Sequence, residues 1–286
     1  MNALARLGVY AGLLGCVAAA AAGAGFALGP LGDDDDSGRH ATETAAGGHG
    51  ADGGASSALS GLSVARDGYR LVLADATLPV GRAVSLAFRI VDSTGDAVHD
   101  FDLEGGVRMH LIVVRRDLTG YQHLQPKLAA DGTFAVELAL PAAGVWRAFA
   151  DFERDGRKTV LGADLLAAGE FASETLPAPR ARIAVDGYRV ELTGASRAGR
   201  EDELEFHVSR GGQPVEPEPY LSARGHLVAL REGDLGYLHV HPLEDGEPGE
   251  VAFAATFPTV GRYRLFLQFD DEGRIHTAGF TLEVRG

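Results

Sequence analysis

One stretch of this chain occurs twice. Residues 109–126 read MHLIVVRRDLTGYQHLQP, and residues 225–242 read GHLVALREGDLGYLHVHP. They align without a gap at an offset of 116, pairing His110 with His226, Tyr121 with Tyr237, His123 with His239 and Pro126 with Pro242. The repetition extends outwards. Asp67-Gly68-Tyr69-Arg70 returns as Asp186-Gly187-Tyr188-Arg189 at an offset of 119. Gly144-Val145-Trp146-Arg147 returns as Gly261-Arg262-Tyr263-Arg264, with Phe152 and Phe269 following, at an offset of 117. Periods of about 20–50 residues build solenoids, so a period this long specifies two tandem copies of one domain.

Each copy reads as strands. Runs rich in Val, Leu, Phe and Tyr over 69–75, 84–92, 107–116, 121–124, 133–140, 145–152 and 159–166 are bounded by Gly, Asp or Pro. The second copy repeats the order over 189–193, 203–209, 226–231, 237–241, 251–257, 262–269 and 275–284. Short strands with frequent turns, and no stripe of helical period, predict an all-β chain of two tandem immunoglobulin-like antiparallel sandwiches. The expected boundaries are 62–176 for the first and 177–286 for the second, with Pro177-Ala178-Pro179 as a stiff hinge.

The N-terminus reads differently. Residues 7–32 carry no charge, and Arg6 precedes them while Asp33–Asp36 follow. A helix of that length reaches roughly 39 Å, enough for a bilayer core of about 30 Å. The charge asymmetry predicts a cytoplasmic 1–6, a single transmembrane signal anchor over 7–32 and an extracytoplasmic remainder at the cell membrane. Cleavage in the Ala18–Ala24 region and a lipoprotein signal at Cys16 are alternatives, and all three export residue 33 onwards. Residues 33–61, made of Gly, Ala, Ser, Asp and His with little to bury, read as a flexible acidic tether.

Composition removes several functions. The formal net charge is -14, which argues against nucleic-acid binding, where clustered Lys and Arg must displace counterions. The one cysteine, Cys16, lies in the apolar N-terminal run, so the domains have no thiolate for a zinc or blue-copper site. No Gly-x-Ser-x-Gly elbow, phosphate loop or His-Glu-x-x-His helix occurs, and no enzyme is expected.

The histidines carry the chemistry. If Tyr237–His241 is one strand, alternation puts Tyr237, His239 and His241 on one face, with neighbouring imidazoles about 7 Å apart at Cα. His226 opens the preceding strand and His276 the final one. Convergence of His226, His239, His241 and His276 at one end of the second domain would give a metal site, with His110 and His123 as counterparts in the first. Gln125 and Thr159 stand where the second copy has His241 and His276, which points to the second copy as the complete one. Imidazole without thiolate suits Cu(II), Zn(II) or Ni(II), and the affinity order favours copper. Asp151 and Gln268, beside the aromatics, are candidates to support the ligands. The plainer reading is that these histidines only tie strand ends. Trp146, Tyr263, Phe152 and Phe269 read as core.

The elements MHLIVVRRDLTGYQHLQP, GHLVALREGDLGYLHVHP and GRYRLFLQFDDEGRIHTAGF resemble those of actinobacterial membrane-anchored secreted proteins described as heavy-metal-binding or of unknown role. The resemblance spans roughly residues 60–286 and implies exported tandem β domains with a link to copper or other heavy metals. It implies a first motif ending in His-x-His-Pro, a pattern that Gln125 breaks here. The expected function is extracytoplasmic binding of a metal ion, copper or else zinc, for sequestration or transfer near the membrane. The alternative is a metal-free structural module that binds an extracytoplasmic protein partner. A mononuclear copper enzyme would need an open coordination position and a substrate cleft.

Overall fold

The computed structural model describes residues 59–221, 223–238, 240–243 and 249–286. The predicted anchor over 7–32, nearly all of the tether, and His239 lie outside the described residues. Among the described residues no helix is long and apolar enough to cross a membrane.

The first repeat contains β1 (Ala65–Arg66), β2 (Tyr69–Leu73), β3 (Thr77–Leu78), β4 (Val84–Val91), β5 (His110–Arg115), β6 (Gln122–Leu124), β7 (Lys127–Leu128), β8 (Phe134–Leu138), β9 (Gly144–Arg154) and β10 (Arg157–Ala167). The second contains β11 (Arg182–Val185), β12 (Tyr188–Thr193), β13 (Glu201–Arg210), β14 (Gln213–Pro214), β15 (His226–Arg231), β16 (Tyr237–Leu238), β17 (His241–Leu243), β18 (Glu250–Thr256), β19 (Gly261–Asp271) and β20 (Arg274–Val284).

The first repeat folds into two sheets, ordered β1-β2-β4-β8-β7 and β3-β10-β9-β5-β6. The second folds into β11-β12-β13-β18-β17 and β16-β15-β19-β20. Between these strands pairing is antiparallel except for the short β3–β10 contact. In both repeats four strands follow the A-B-E-D order of an immunoglobulin sheet, and β5-β9-β10 and β15-β19-β20 take the places of C, F and G. Both copies are therefore immunoglobulin-like sandwiches.

The aromatic at the start of the sixth major strand has a fixed task. Tyr263 donates its hydroxyl to the Thr259 carbonyl at 3.2 Å, the tyrosine corner of this architecture. Its first-repeat counterpart Trp146 donates Nε1–H to the Ala142 carbonyl at 3.0 Å, four residues back in the same way. Two residues further on, where an antibody domain carries its second cysteine, stand the buried Ala148 and Leu265.

Burial of β5 decides the larger arrangement. All six of its residues are buried. Leu111 and Val113 point into the first sandwich core, while Ile112 and Val114 belong to a separate apolar cluster. In β15 the division is the same: Leu227 and Ala229 fill the second core, and Val228 and Leu230 join that separate cluster. Phe149 and Phe266, one from each repeat, complete it together with Leu118, Leu235 and Tyr237. The inner sheets of the two sandwiches thus pack face to face, with equivalent residues meeting across a pseudo-two-fold relation.

The N-terminal approach locks this interface. The sequence predicts a tether as far as residue 61, but Leu59 already packs on the second core. Ser60 exchanges two backbone hydrogen bonds with Tyr237 of β16, at 2.8 and 3.0 Å. Gly61 N–H then donates to the Val160 carbonyl in β10 at 3.1 Å, and Arg147 donates to the Gly61 carbonyl at 2.6 and 3.1 Å. A short strap thereby bonds to both repeats.

Candidate metal centre

The face of β5 that carries Ile112 and Val114 also carries His110, and the equivalent face of β15 carries His226. Both histidines therefore enter the interface between the sandwiches. His123, on β6 beside β5, completes the group. One ligand atom from each of His110, His123 and His226 lies within 4.8 Å of the others. Among the described residues this is the one such grouping of three or more His, Cys, Asp or Glu. The rings crowd together, with His123–His226 centroids 4.4 Å apart and His110–His226 centroids 5.4 Å apart and nearly parallel.

A chain of hydrogen bonds orders these rings. Gln268 Nε2 donates to the Thr277 hydroxyl at 3.2 Å, which turns Gln268 Oε1 towards His123 Nδ1, 2.6 Å away. His123 Nε2 lies 2.9 Å from His110 Nδ1. Burial pushes the pKa of His123 down to about 4, with the neighbouring His110 acting in the same direction. His110 is lowered too, chiefly by burial. Both rings are accordingly neutral near pH 7, the form that ligates metals.

A carboxylate adjoins the cluster. Asp151 on β9 stands directly opposite His110 in the β5–β9 ladder, and directly opposed residues share a face. It is 4 % exposed, and Tyr237 of the second repeat donates its hydroxyl to Oδ2 at 3.1 Å. Burial, reinforced by nearby Glu104, pushes its pKa up to about 7. Asp151, His110, His226, Tyr237 and Glu104 line one cavity of about 60 Å³. That is room for an ion with one or two waters. Glu104 also pairs with Lys158.

The remaining predicted residues lie elsewhere. The sequence reading treats Tyr237–His241 as one strand, and the structure corrects this. Tyr237–Leu238 pairs with β15 in the inner sheet, whereas His241–Leu243 pairs with β18 in the outer one. Alternation across a single strand therefore does not apply, and His241 is an exposed residue of a different sheet. His276 stands opposite Phe269 in the β19–β20 ladder, while His226 stands opposite Gln268. Adjacent positions on β19 face opposite ways, so His276 lies on the core side of the sheet. There it contacts Phe269 and Tyr188 and sits 2.9 Å from Asp186. Of the four histidines expected to converge within the second domain, His226, His241 and His276 are therefore not brought together, and His239 lies outside the described residues. His226 meets His110 and His123 of the other domain.

A signal for this was present. HLIVVR and HLVALR are nearly continuous apolar runs, which describe strands covered on both faces. A lone sandwich covers only one.

A family model described as a domain of unknown function (DUF8832) matches residues 63–168 and again 183–286. The chain belongs to the DUF8832 family. Each match coincides with one sandwich, so the family domain is the single repeat and the histidine cluster lies between two DUF8832 domains. No curated protein matches the chain. Among solved structures it is similar to the Escherichia coli adhesin FdeC, at 15% identity over 80% of this chain and 66% of that one, with a TM-score of 0.27. It is also similar to InvD of Yersinia pseudotuberculosis, at 13% identity over 76% and 57%, with a TM-score of 0.26. The adhesin InvE of the same organism matches at 14% identity over 80% and 61%, with a TM-score of 0.25. The chain spans less than two thirds of the length of each of these three structures.

Proposed function

We propose that this protein binds a divalent transition-metal cation, copper or zinc, at the histidine cluster between its two domains. The observation that carries the reading is the meeting of His110, His123 and His226 with ligand atoms within 4.8 Å. Three imidazoles without a thiolate match the nitrogen-rich donor sets of Cu(II) and Zn(II). The imidazoles stand beside a large apolar cluster, where polar groups cost stability unless satisfied. The resemblance to proteins described as heavy-metal-binding agrees with the donor set.

Export supports the same reading. The uncharged run over 7–32, with Arg6 before it and Asp33–Asp36 after it, suits a membrane anchor that presents the domains outside the cell. Sequestration or transfer of an ion near the membrane follows from that placement. Equilibrium dialysis of the purified full chain against Cu(II) and Zn(II), followed by metal analysis, tests the proposal. One ion per chain is expected, and His110→Ala combined with His226→Ala should abolish it. Unchanged stoichiometry in that double variant would refute the site.

A further inference from the structure

We infer that the ion sits on the cavity side of the cluster, held by His110 Nε2 and His226 and drawing in the carboxylate of Asp151, which lines that cavity but stands outside the 4.8 Å grouping in the metal-free chain, while His123 and Gln268 are positioning residues that fix the tautomer of His110. This rests on the reading of the cluster as a cation site and assigns its ligands.

The first support is the hydrogen-bond chain. A side-chain carbonyl only accepts, so the contact at 2.6 Å from Gln268 Oε1 requires a proton on His123 Nδ1. A neutral imidazole has one N–H, so His123 Nε2 is then an acceptor. Its contact at 2.9 Å with His110 Nδ1 places the His110 proton on Nδ1. The lone pair of His110 is left on Nε2. That atom is buried and makes no hydrogen bond of ordinary geometry among the described residues, although the Glu104 backbone lies near the ring. A ligating histidine is commonly oriented in this manner, by a bond from its other ring nitrogen.

Asp151 supplies the second support. Its Oδ2 is occupied by Tyr237, whereas Oδ1 is buried and has no hydrogen-bond partner among the described residues. Two buried acceptor atoms, on residues directly opposed across one ladder, thus border the same cavity as His226. With Asp151 ionised, neither can satisfy the other, because both then carry only lone pairs. A cation satisfies both at once. One carboxylate with neutral imidazoles also offsets part of a divalent charge, and this donor set is harder than the sulfur ligands that select Cu(I).

The repeat gives these residues their contrast. Asp151 and Gln268 are counterparts at the offset of 117. Each lies opposite the histidine that opens its domain's third major strand. One position has become a ligand and the other an orienting amide.

The test uses the full chain in two arms. In the metal-free protein, ¹⁵N NMR of the imidazoles should find His110 protonated at Nδ1 and bare at Nε2. Gln268→Leu should spread that proton over both nitrogens. In the second arm Cu(II) is the probe, with its affinity measured by chelator competition and its ligands by electron paramagnetic resonance. Two coordinating nitrogens are expected. Gln268→Leu should weaken binding roughly 10–100-fold, as loss of an outer partner does, with the nitrogen count unchanged. The near-isosteric Asp151→Asn should weaken it by more than about 100-fold, beyond that range. A three-nitrogen spectrum that Asp151→Asn leaves unchanged would make His123 a ligand and overturn this assignment while leaving the cation site standing. A proton on His110 Nε2 in the metal-free protein would overturn it as well. Failure of the wild-type chain to bind Cu(II) or Zn(II) would remove both readings.

Discussion

Asp151 and His123 shift in opposite senses, and their effects on stability oppose each other. Burial raises Asp151 from 3.8 to about 7, so between those values the folded protein keeps a proton that the unfolded chain releases. Its stabilising contribution is complete below about pH 3.8 and is lost as pH rises towards 7. His123 falls from 6.5 to about 4, so the folded protein refuses a proton that the unfolded chain accepts. Its contribution is complete above about pH 6.5 and is lost as pH falls through about 4. His110, also lowered by burial, acts like His123. Over the window from about 4 to 6.5 the two slopes offset in the metal-free wild type. Asp151→Asn removes the falling one. Urea denaturation at stepped pH should then give a variant whose stability rises with pH more steeply than that of the wild type. Equal slopes would contradict the buried, protonated state of Asp151. The sequence had singled out Asp151 and Gln268 beside the aromatics, but not which would touch a histidine, because that contact crosses between repeats.

At the scale of elements, the major strands were legible because Gly, Asp and Pro punctuate them and their apolar runs have strand length. The short strands β1, β3, β7, β11 and β14 were not, since two to four residues carry no period. The break between β16 and β17 was hidden too. Tyr237–His241 reads as one alternating strand, and only its two different partners split it. The strap at Leu59–Gly61 was read as tether because its few residues include little to bury. It is held by backbone bonds and by Arg147, which composition does not report. Gly162 makes room for it: a Cβ there would lie 1.9 Å from the Gly61 carbonyl oxygen and 2.7 Å from Arg147 Nη2. Gly162→Ala should therefore displace the strap and cost about 1–3 kcal/mol, the usual price of overpacking. Chemical denaturation measures this, and a variant as stable as the wild type would show that the strap is not held there.

At the scale of the whole molecule, duplication created a surface that neither domain has alone. Each sandwich exposes an inner sheet with a histidine at the start of its third major strand. Face-to-face packing buries both sheets and brings the histidines together. The sequence pointed to a complete site in the second copy, because His241 and His276 lack histidine counterparts. In the fold these two lie on an outer sheet and on the core face of an inner one, and the histidines that meet are repeated ones. What separates one site from two is the pairing between domains, which no pattern within a single repeat encodes. The most direct test is anomalous diffraction from crystals of the protein grown with Cu(II) or Zn(II). The account predicts one strong peak between the domains, about 2 Å from a ring nitrogen of His110 and of His226. A peak only at His241 or His276, with none between the domains, would contradict it.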